Sequence, residues 1–200
     1  MRSIVLFVGW MLCLSLGMMA QYPVADPSVP HHPFHHGVAS GDALSDRVIL
    51  WTRVTSETSG PIAVQWVVST TPDLASIVAQ GEFVTDASRD YTVKVDAQGL
   101  SADTWYYYGF TTSEGSSQVG RTKTIPEAMA SVTDFRFALA SCANYEGGYF
   151  NAYRSIAERN DLQAVFHVGD YTYEYGADIY GNSIEGRTHL PTHETVTLGD

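Results

Sequence analysis

Three side chains that can ligate a metal or act as nucleophiles follow two apolar runs of the sequence. Cys142 follows residues 134–141 (DFRFALAS), and Asp170 follows residues 163–168 (QAVFHV), with Tyr173 three positions further on. No histidine lies where it would activate the thiol as a nucleophile, so a cysteine-based hydrolase is poorly supported. Thiolate, carboxylate and phenolate together form an anionic shell for a highly charged cation. Because a phenolate at neutral pH needs a strongly acidic metal, the set favours ferric iron over zinc.

The surrounding sequence predicts how these side chains are positioned. Residues 134–141 and 163–168 read as strands, and residues 149–159 show apolar side chains at helical spacing. A strand, a helix and a strand over so short a length predict a βαβ unit with parallel strands and a right-handed crossover. Function in such sheets collects at the carboxyl ends of the strands. On neighbouring strands about 5 Å apart, Cys142 and Asp170 would face one crevice, where Asp170 could also bridge to a second metal.

The cysteine content leaves several fates open for Cys142. The chain has two cysteines, and Cys13 lies in an apolar N-terminal segment that we expect to be removed. Cys142 then has no partner for an internal disulfide, so it is a free thiol, an intermolecular half-cystine or a metal ligand. A buried apolar cysteine is the commonest fate of a free thiol and stays open as well.

Residues 1–20 have the layout of a secretory signal peptide. Arg2 precedes an apolar stretch that starts at Ile4, and polar, Pro-rich sequence follows a small-residue junction at Ala20 and Gln21. The alternative is a single membrane anchor, since about 17 to 25 apolar residues can span a bilayer. The signal peptide predicts a secreted or periplasmic protein with no stable membrane insertion.

The chain is strongly acidic. It carries 22 acidic and 11 basic residues, for a net charge of −11. This balance disfavours anionic membranes as partners, and it disfavours nucleic acid except as a possible substrate. We expect a monomer.

Residues 21–37 are rich in proline and histidine and form a predicted leader. No periodicity of apolar residues marks a strand or a helix in this segment. Its four histidines, His31, His32, His35 and His36, could bind a metal. Without a fixed scaffold they are interpreted as part of a polar leader.

In residues 38–126, strand-forming segments alternate with turn-forming segments, as is typical of an all-β domain. Short β-branched and aromatic runs alternate with Gly, Asp, Ser and Pro clusters, at the spacing of a sandwich of about 90 to 100 residues. In LSADTWY, Leu100 lies six positions before Tyr106, which resembles the tyrosine corner of fibronectin type III-like domains, where the phenol bonds back to the chain. The predicted strands are residues 47–54, 62–69, 91–95, 104–111 and 118–122.

The remaining sequence predicts a second, incomplete domain. Residues 127–133 form a predicted linker, and residues 134–200 are predicted to be the first part of an α/β domain. Parallel sheets occur almost only where both faces are covered. Two parallel strands and one helix cannot give that cover, so we expect this chain to be the N-terminal part of a longer protein.

Three segments together resemble the alkaline phosphatase D family of exported phosphatases and phosphodiesterases. They are FHHGVASGDALSDRVILWTRV, ASCANYEGGYFNAYRSIAERNDL and HVGDYTYEYG, at residues 34–54, 140–162 and 167–176. The SCxNY and GDYxYEYG segments are specific as a pair, and the likeness runs from about residue 34 to the end of the chain. The resemblance implies a fibronectin type III-like sandwich followed by the start of an αββα-type metallophosphatase domain.

The resemblance also implies a metal site. Carried over residue by residue, the family's ligands match Cys142, Asp170 and Tyr173, with ferric iron (Fe3+) held by all three and Asp170 also shared with calcium (Ca2+). The family's later ligands, an Asn and further Asp and His residues, would fall after Asp200. The family is exported by a twin-arginine signal, whereas this leader has only Arg2. Export by the general pathway, with metals loaded afterwards, is therefore expected.

The implied reaction is hydrolysis of phosphate esters by a metal-activated water, with no catalytic side chain from the protein. The substrate would be a small-molecule or polymeric phosphate ester. The alternative is a non-catalytic exported β-sandwich binding module, and a third hypothesis is a cysteine hydrolase. We expect residues 1–200 alone to be inactive, because part of the ligand set is missing.

Other polar residues near these motifs receive plainer interpretations. His167 is interpreted as a packed strand residue. Asn144 and Glu174 could hold the metal ligands in position without binding the metal themselves. Residues 186–200 (GRTHLPTHETVTLGD) are interpreted as a solvated surface loop, although three of its side chains could meet substrate phosphate: Arg187, His189 and His193.

Overall fold

The structure is a computed structural model that describes residues 31–55, 60–180, 184 and 186–197. The predicted signal peptide, residues 1–20, and the predicted leader up to residue 30 lie outside the described residues. Within the described ranges, no helix combines the length and the apolar character needed to cross a bilayer.

Residues 38–123, as far as they are described, form two antiparallel sheets. The first has the strand order β1-β2-β5 and the second has the order β4-β3-β6-β7. All five predicted strands are present with small shifts at their ends, whereas β1 and β4 were not predicted. The bounds are β1 Val38–Gly41, β2 Arg47–Arg53, β3 Ile62–Ser69, β4 Ile77–Thr85, β5 Thr92–Gln98, β6 Trp105–Thr111 and β7 Gly120–Lys123, with a 3-10 turn at Ala87–Arg89.

The two sheets share one apolar core. Alternate residues of each strand point inward, because successive side chains of a strand lie on opposite faces. Phe34, in the predicted leader, is only 1% exposed and belongs to this core. The last residues of that segment therefore pack as part of the sandwich. The main inward-facing side chains are Val48 and Leu50 from β2, Val64 and Val68 from β3, Val93 and Val95 from β5, and Tyr106, Tyr108 and Phe110 from β6.

The histidines of this segment pair with side chains of the sandwich. His32 Nε2 lies 3.0 Å from Glu114 Oε2, and His36 Nε2 lies 2.6 Å from Arg53 Nη1. Among the described residues, no group of three or more His, Cys, Asp or Glu side chains is arranged to hold a metal ion. The segment thus shows no histidine metal site in the part of the chain described.

The hydrogen bond expected of the predicted tyrosine corner is present. The buried Tyr106 hydroxyl accepts a hydrogen bond of 2.8 Å from the backbone N–H of Ser101. The bond fixes the turn that leads into β6, the strand with the largest share of aromatic core residues.

We predict that Tyr106→Phe lowers the free energy of unfolding by about 1 kcal/mol, because the Ser101 N–H loses its acceptor while the ring stays in place. Urea unfolding followed by tryptophan fluorescence measures the change. Tyr91→Phe is the matched control, since its ring also packs against the core and the described residues give its hydroxyl no hydrogen bond. Equal stability of Tyr106→Phe and the unsubstituted chain would contradict the prediction.

A second region contains the predicted strand, helix and strand. Strand β8 spans Phe137–Ala140, helix α1 spans Asn151–Ala157 and strand β9 spans Ala164–His167. The two strands pair in parallel, from Phe137 opposite Ala164 to Ala140 opposite His167. The predicted parallel pairing is confirmed, with each element a few residues shorter than expected.

Arg121 of β7 connects the sandwich to the end of α1. Its Nη1 and Nη2 atoms donate to the carbonyl oxygens of Asn160 and Arg159 at 3.2 and 3.3 Å. The guanidinium carbon lies 4.4 Å from the centre of the Trp105 ring, so the side chain is held from both sides. These contacts set the helix, and the strands it joins, against the sandwich.

Candidate metal centre

Backbone pairing between β8 and β9 continues past the ends of both strands. The N–H of Val168 donates to Ala140 O at 3.0 Å, and the N–H of Cys142 donates to Gly169 O at 3.2 Å. One residue later, the N–H of Ala143 donates to Asp170 O at 2.8 Å. The ladder therefore places Cys142 and Asp170 side by side at the carboxyl edge of the sheet, as predicted.

The three predicted ligands meet at one carboxylate oxygen. The Cys142 thiol lies 3.6 Å from Asp170 Oδ2 and donates to it, and the Tyr173 hydroxyl donates to the same oxygen at 3.2 Å. Two ligands of one metal ion, each about 2.0 to 2.3 Å from it, are separated by roughly 3 to 3.7 Å. The distances of 3.6 and 3.2 Å from Asp170 Oδ2 to the thiol and to the phenol thus fit ligands of one ion.

The backbone is strained at two of these residues. Cys142 has a φ of 61° and Asp170 has a φ of 52°, both in the left-handed region. A residue with a Cβ atom adopts this region at a cost of about 1 to 2 kcal/mol. Strain of this kind clusters at functional sites, where the surrounding structure holds it in place. Eight other described non-glycine residues also have a positive φ, so the site is identified by the side chains that meet there and not by the backbone alone.

The environment of Tyr173 disfavours its ionised form. Burial raises the pKa of the phenol above its usual range, and hydrogen bonds with Cys142 and Asp170, together with their charges, raise it further. The phenol therefore stays protonated, and its O–H group donates a hydrogen bond to the Asp170 carboxylate. A cation among the three donors would reverse the sign of the charge effect, because it favours the anionic form of each ligand.

A cavity of about 350 Å³ opens beside these three residues. Tyr173 belongs to its wall, as do Ala143 and Tyr171, the chain neighbours of Cys142 and Asp170. Six of its fourteen lining residues are phenylalanine or tyrosine. Its aromatic side chains are Tyr145, Phe150, Tyr171, Tyr173, Tyr175 and Tyr180. We call it the aromatic cavity.

Comparison with known proteins identifies the family. The family model "PhoD-like phosphatase, N-terminal domain" matches residues 20–126, and the model "PhoD-like phosphatase" matches residues 137–200. This chain belongs to the PhoD-like phosphatase family. The second match contains all three converging donors.

Two relatives of this PhoD-like chain agree with the family assignment. The chain is 38% identical over 213 residues to alkaline phosphatase D of Bacillus subtilis (strain 168), a match that covers 100% of this chain and 36% of the relative. The solved "Structure of PhoD" is 40% identical, with a TM-score of 0.76, over 86% of this chain and 34% of that one. The chain therefore spans about a third of the length of the relatives it matches, and it shares the mainly β architecture of their corresponding part.

In this PhoD-like chain, most described residues of the 186–197 loop are exposed, in line with the surface-loop interpretation, whereas Arg187 and His189 are partly buried. The Arg187 Nε donates to Tyr145 O at 2.7 Å, and its guanidinium carbon lies 4.0 Å from the Tyr145 ring centre. The rings of Tyr149 and Phe150 are 4.9 and 5.4 Å away. The loop is thus packed against residues that follow Cys142, and only His193 of the three named residues is exposed.

Glu146 holds this packing together and was missed by the sequence analysis. Its side chain is buried, and its carboxylate accepts from the N–H of Asp178 at 3.1 Å and from the N–H of His189 at 3.4 Å. The His189 ring nitrogen Nε2 lies 3.8 Å from the same carboxylate. No apolar periodicity marks Glu146 as buried. Its partners lie 32 and 43 residues away, so only the folded chain reveals its role.

The remaining polar residues shape the loops around the donors. Asn144 Oδ1 accepts from the backbone N–H groups of Glu146 and Gly147 and closes a tight turn after Cys142. Glu174 accepts from Thr172 rather than from the three donors. His167 Nε2 lies 2.7 Å from the Tyr153 hydroxyl of α1, which agrees with its interpretation as a packed strand residue.

We predict that Glu146→Ala loosens both segments that its carboxylate holds. The backbone N–H groups of Asp178 and His189 lose their acceptor, so their hydrogen exchange should accelerate by about 10- to 100-fold, in line with about 1 to 3 kcal/mol for an unsatisfied buried group. Hydrogen exchange measured by NMR at these two amides gives the result.

Glu174→Ala is the control for the loss of a carboxylate in the same region, because Glu174 is exposed and its carboxylate accepts a hydrogen bond from Thr172, two residues away. Unchanged exchange at Asp178 and His189 in Glu146→Ala would show that other contacts hold these segments.

Proposed function

We propose that this chain is the N-terminal part of an exported, metal-dependent phosphatase or phosphodiesterase that hydrolyses phosphate esters with a metal-activated water. The observation that carries the proposal is the convergence of Cys142 and Tyr173 on Asp170 Oδ2, at the carboxyl edge of a parallel strand pair. Membership of the PhoD-like phosphatase family supports the reaction class.

The donor set suits ferric iron, with calcium as a second ion. Cys142, Asp170 and Tyr173 would hold the iron, since a thiolate and a phenolate together match a strongly acidic transition metal better than a hard divalent ion. Asp170, on which the other two donors converge, would be shared between the iron and the calcium. When bound, the ions would polarise the phosphoryl oxygens and lower the pKa of a bound water.

The protein side chains would act as ligands and positioning groups. Tyr173 would release the proton that it shares with Asp170. The continued β8–β9 ladder would keep Cys142 and Asp170 in register. A cysteine nucleophile is less well supported, because the thiol contacts a carboxylate and a phenol rather than a histidine base.

The fold type of each domain and the cellular location of the protein are part of the same proposal. A fibronectin type III-like sandwich is supported by the three-plus-four strand order and by the Tyr106 hydrogen bond to Ser101. An αββα-type catalytic domain is supported by the parallel β8–β9 pair. We propose that the protein acts as a monomer outside the cytoplasm, on a small-molecule or polymeric phosphate ester.

We predict that the full-length protein contains iron and calcium and that Cys142→Ala loses the iron together with the activity. Metal analysis and hydrolysis of a phosphate ester measure the two losses. A second measurement is independent of activity: a phenolate bound to ferric iron absorbs visible light, so the colour should disappear in Tyr173→Phe.

Ser141→Ala is the control, since Ser141 is the exposed chain neighbour of Cys142. A fully active Cys142→Ala protein without iron would refute the metal assignment. Residues 1–200 alone should show no useful activity. An active fragment would refute the need for ligands beyond Asp200, and inactivity of the full-length protein would favour the binding-module alternative.

A further inference from the structure

We infer that the aromatic cavity is the subsite for the alcohol portion of the phosphate ester and that it favours an uncharged, ring-bearing alcohol. The inference rests on the proposed function. It goes beyond that function because it names the side of the ester that the protein recognises and the chemistry of the preferred group.

The first support is the shared wall between the cavity and the three donors. Tyr173 contributes its hydroxyl to the contact with Asp170 and also lines the cavity. Ala143 and Tyr171, which follow Cys142 and Asp170 directly, line it as well. An ester whose phosphate lies at the donors would therefore extend its alcohol into this space.

The second support is the presentation of aromatic faces. The Tyr175 and Tyr180 rings lie 5.1 Å apart at an interplanar angle of 8°, and the Tyr173 ring lies 5.4 Å from Tyr180. Tyr175 is 47% exposed and Tyr180 is 55% exposed, so ring surface remains accessible for a ligand. Stacked or edge-on contact with a further ring is the interaction that such a cluster offers.

The third support is the charge of the wall. None of the residues described as lining the cavity is a lysine or an arginine, and the acidic residue among them is Glu146. The guanidinium of Arg187 packs against the Tyr145 and Phe150 rings of the wall, but Arg187 is not among the lining residues. Asn144, His189 and Thr195 supply a few polar groups, and a volume of about 350 Å³ suits one or two rings.

The test compares two esters of primary alcohols, benzyl phosphate and n-butyl phosphate, in the full-length protein. Their leaving groups are chemically similar, so a difference reports recognition of the ring. We expect a higher kcat/KM for benzyl phosphate. Tyr180→Ala should lower kcat/KM for benzyl phosphate by about 3- to 10-fold and for butyl phosphate by less than about 2-fold.

Two variants separate stacking from other effects. Tyr180→Phe keeps the ring and should retain the preference. Ile179→Ala alters an exposed neighbour that is not among the lining residues and should leave both esters unaffected. Circular dichroism and thermal unfolding check that each variant is folded.

The outcomes distinguish this inference from the proposed function. Equal kcat/KM for the two esters, or an equal loss for both in Tyr180→Ala, would overturn the subsite while phosphatase activity stands. Hydrolysis of neither ester by the metal-loaded protein would refute the proposed function, and the inference with it.

Discussion

The parallel register of β8 and β9 is the constraint on which the candidate site depends. Hydrogen bonding continues from Val168 and Ala140 to the Cys142–Gly169 and Ala143–Asp170 pairs. A slip of one residue would turn each side chain to the other face of the sheet. The thiol and the carboxylate would then no longer meet. The left-handed backbone at Cys142 and Asp170 persists because this ladder holds both residues from either side.

Two further layers of contact surround this strand pair. Glu146 and Arg187 pack the loop of residues 186–197 against the residues that follow Cys142. Arg121 ties the end of α1 to the sandwich, whose core is complete among the described residues. The side chains of β8 and β9 are less well buried, since Phe137, Leu139 and Val165 are more than half exposed. The sandwich therefore contributes rigidity, and the loops contribute the shape of the cavity.

The sequence predicted those parts of the structure that depend on local patterns. Strand ends fix Cys142 and Asp170 at one edge, and the spacing of Leu100 and Tyr106 indicated the tyrosine corner. Strand β4 was missed because Gly81 interrupts its pattern. The ring of Trp66, its cross-strand partner, covers that glycine, which only the pairing shows. Glu146 was missed, and the packing of Arg187 was not predicted, for a related reason: both depend on contacts with residues far away in the chain.

The three donors are joined to one another by hydrogen bonds that meet at Asp170. Asp170 already receives both neighbouring hydrogen bonds on one oxygen, and the phenol of Tyr173 is held in its neutral form by burial and by the groups beside it. In this arrangement the Asp170 carboxylate is the acceptor that the thiol and the phenol share. Under the proposed function, Cys142, Asp170 and Tyr173 would instead serve as ligands of a cation, and the protons that they now share would pass to solvent. On that proposal, the chemistry would depend on the geometry of the donors rather than on the reactivity of a single side chain, and hydrolysis would need no protein nucleophile.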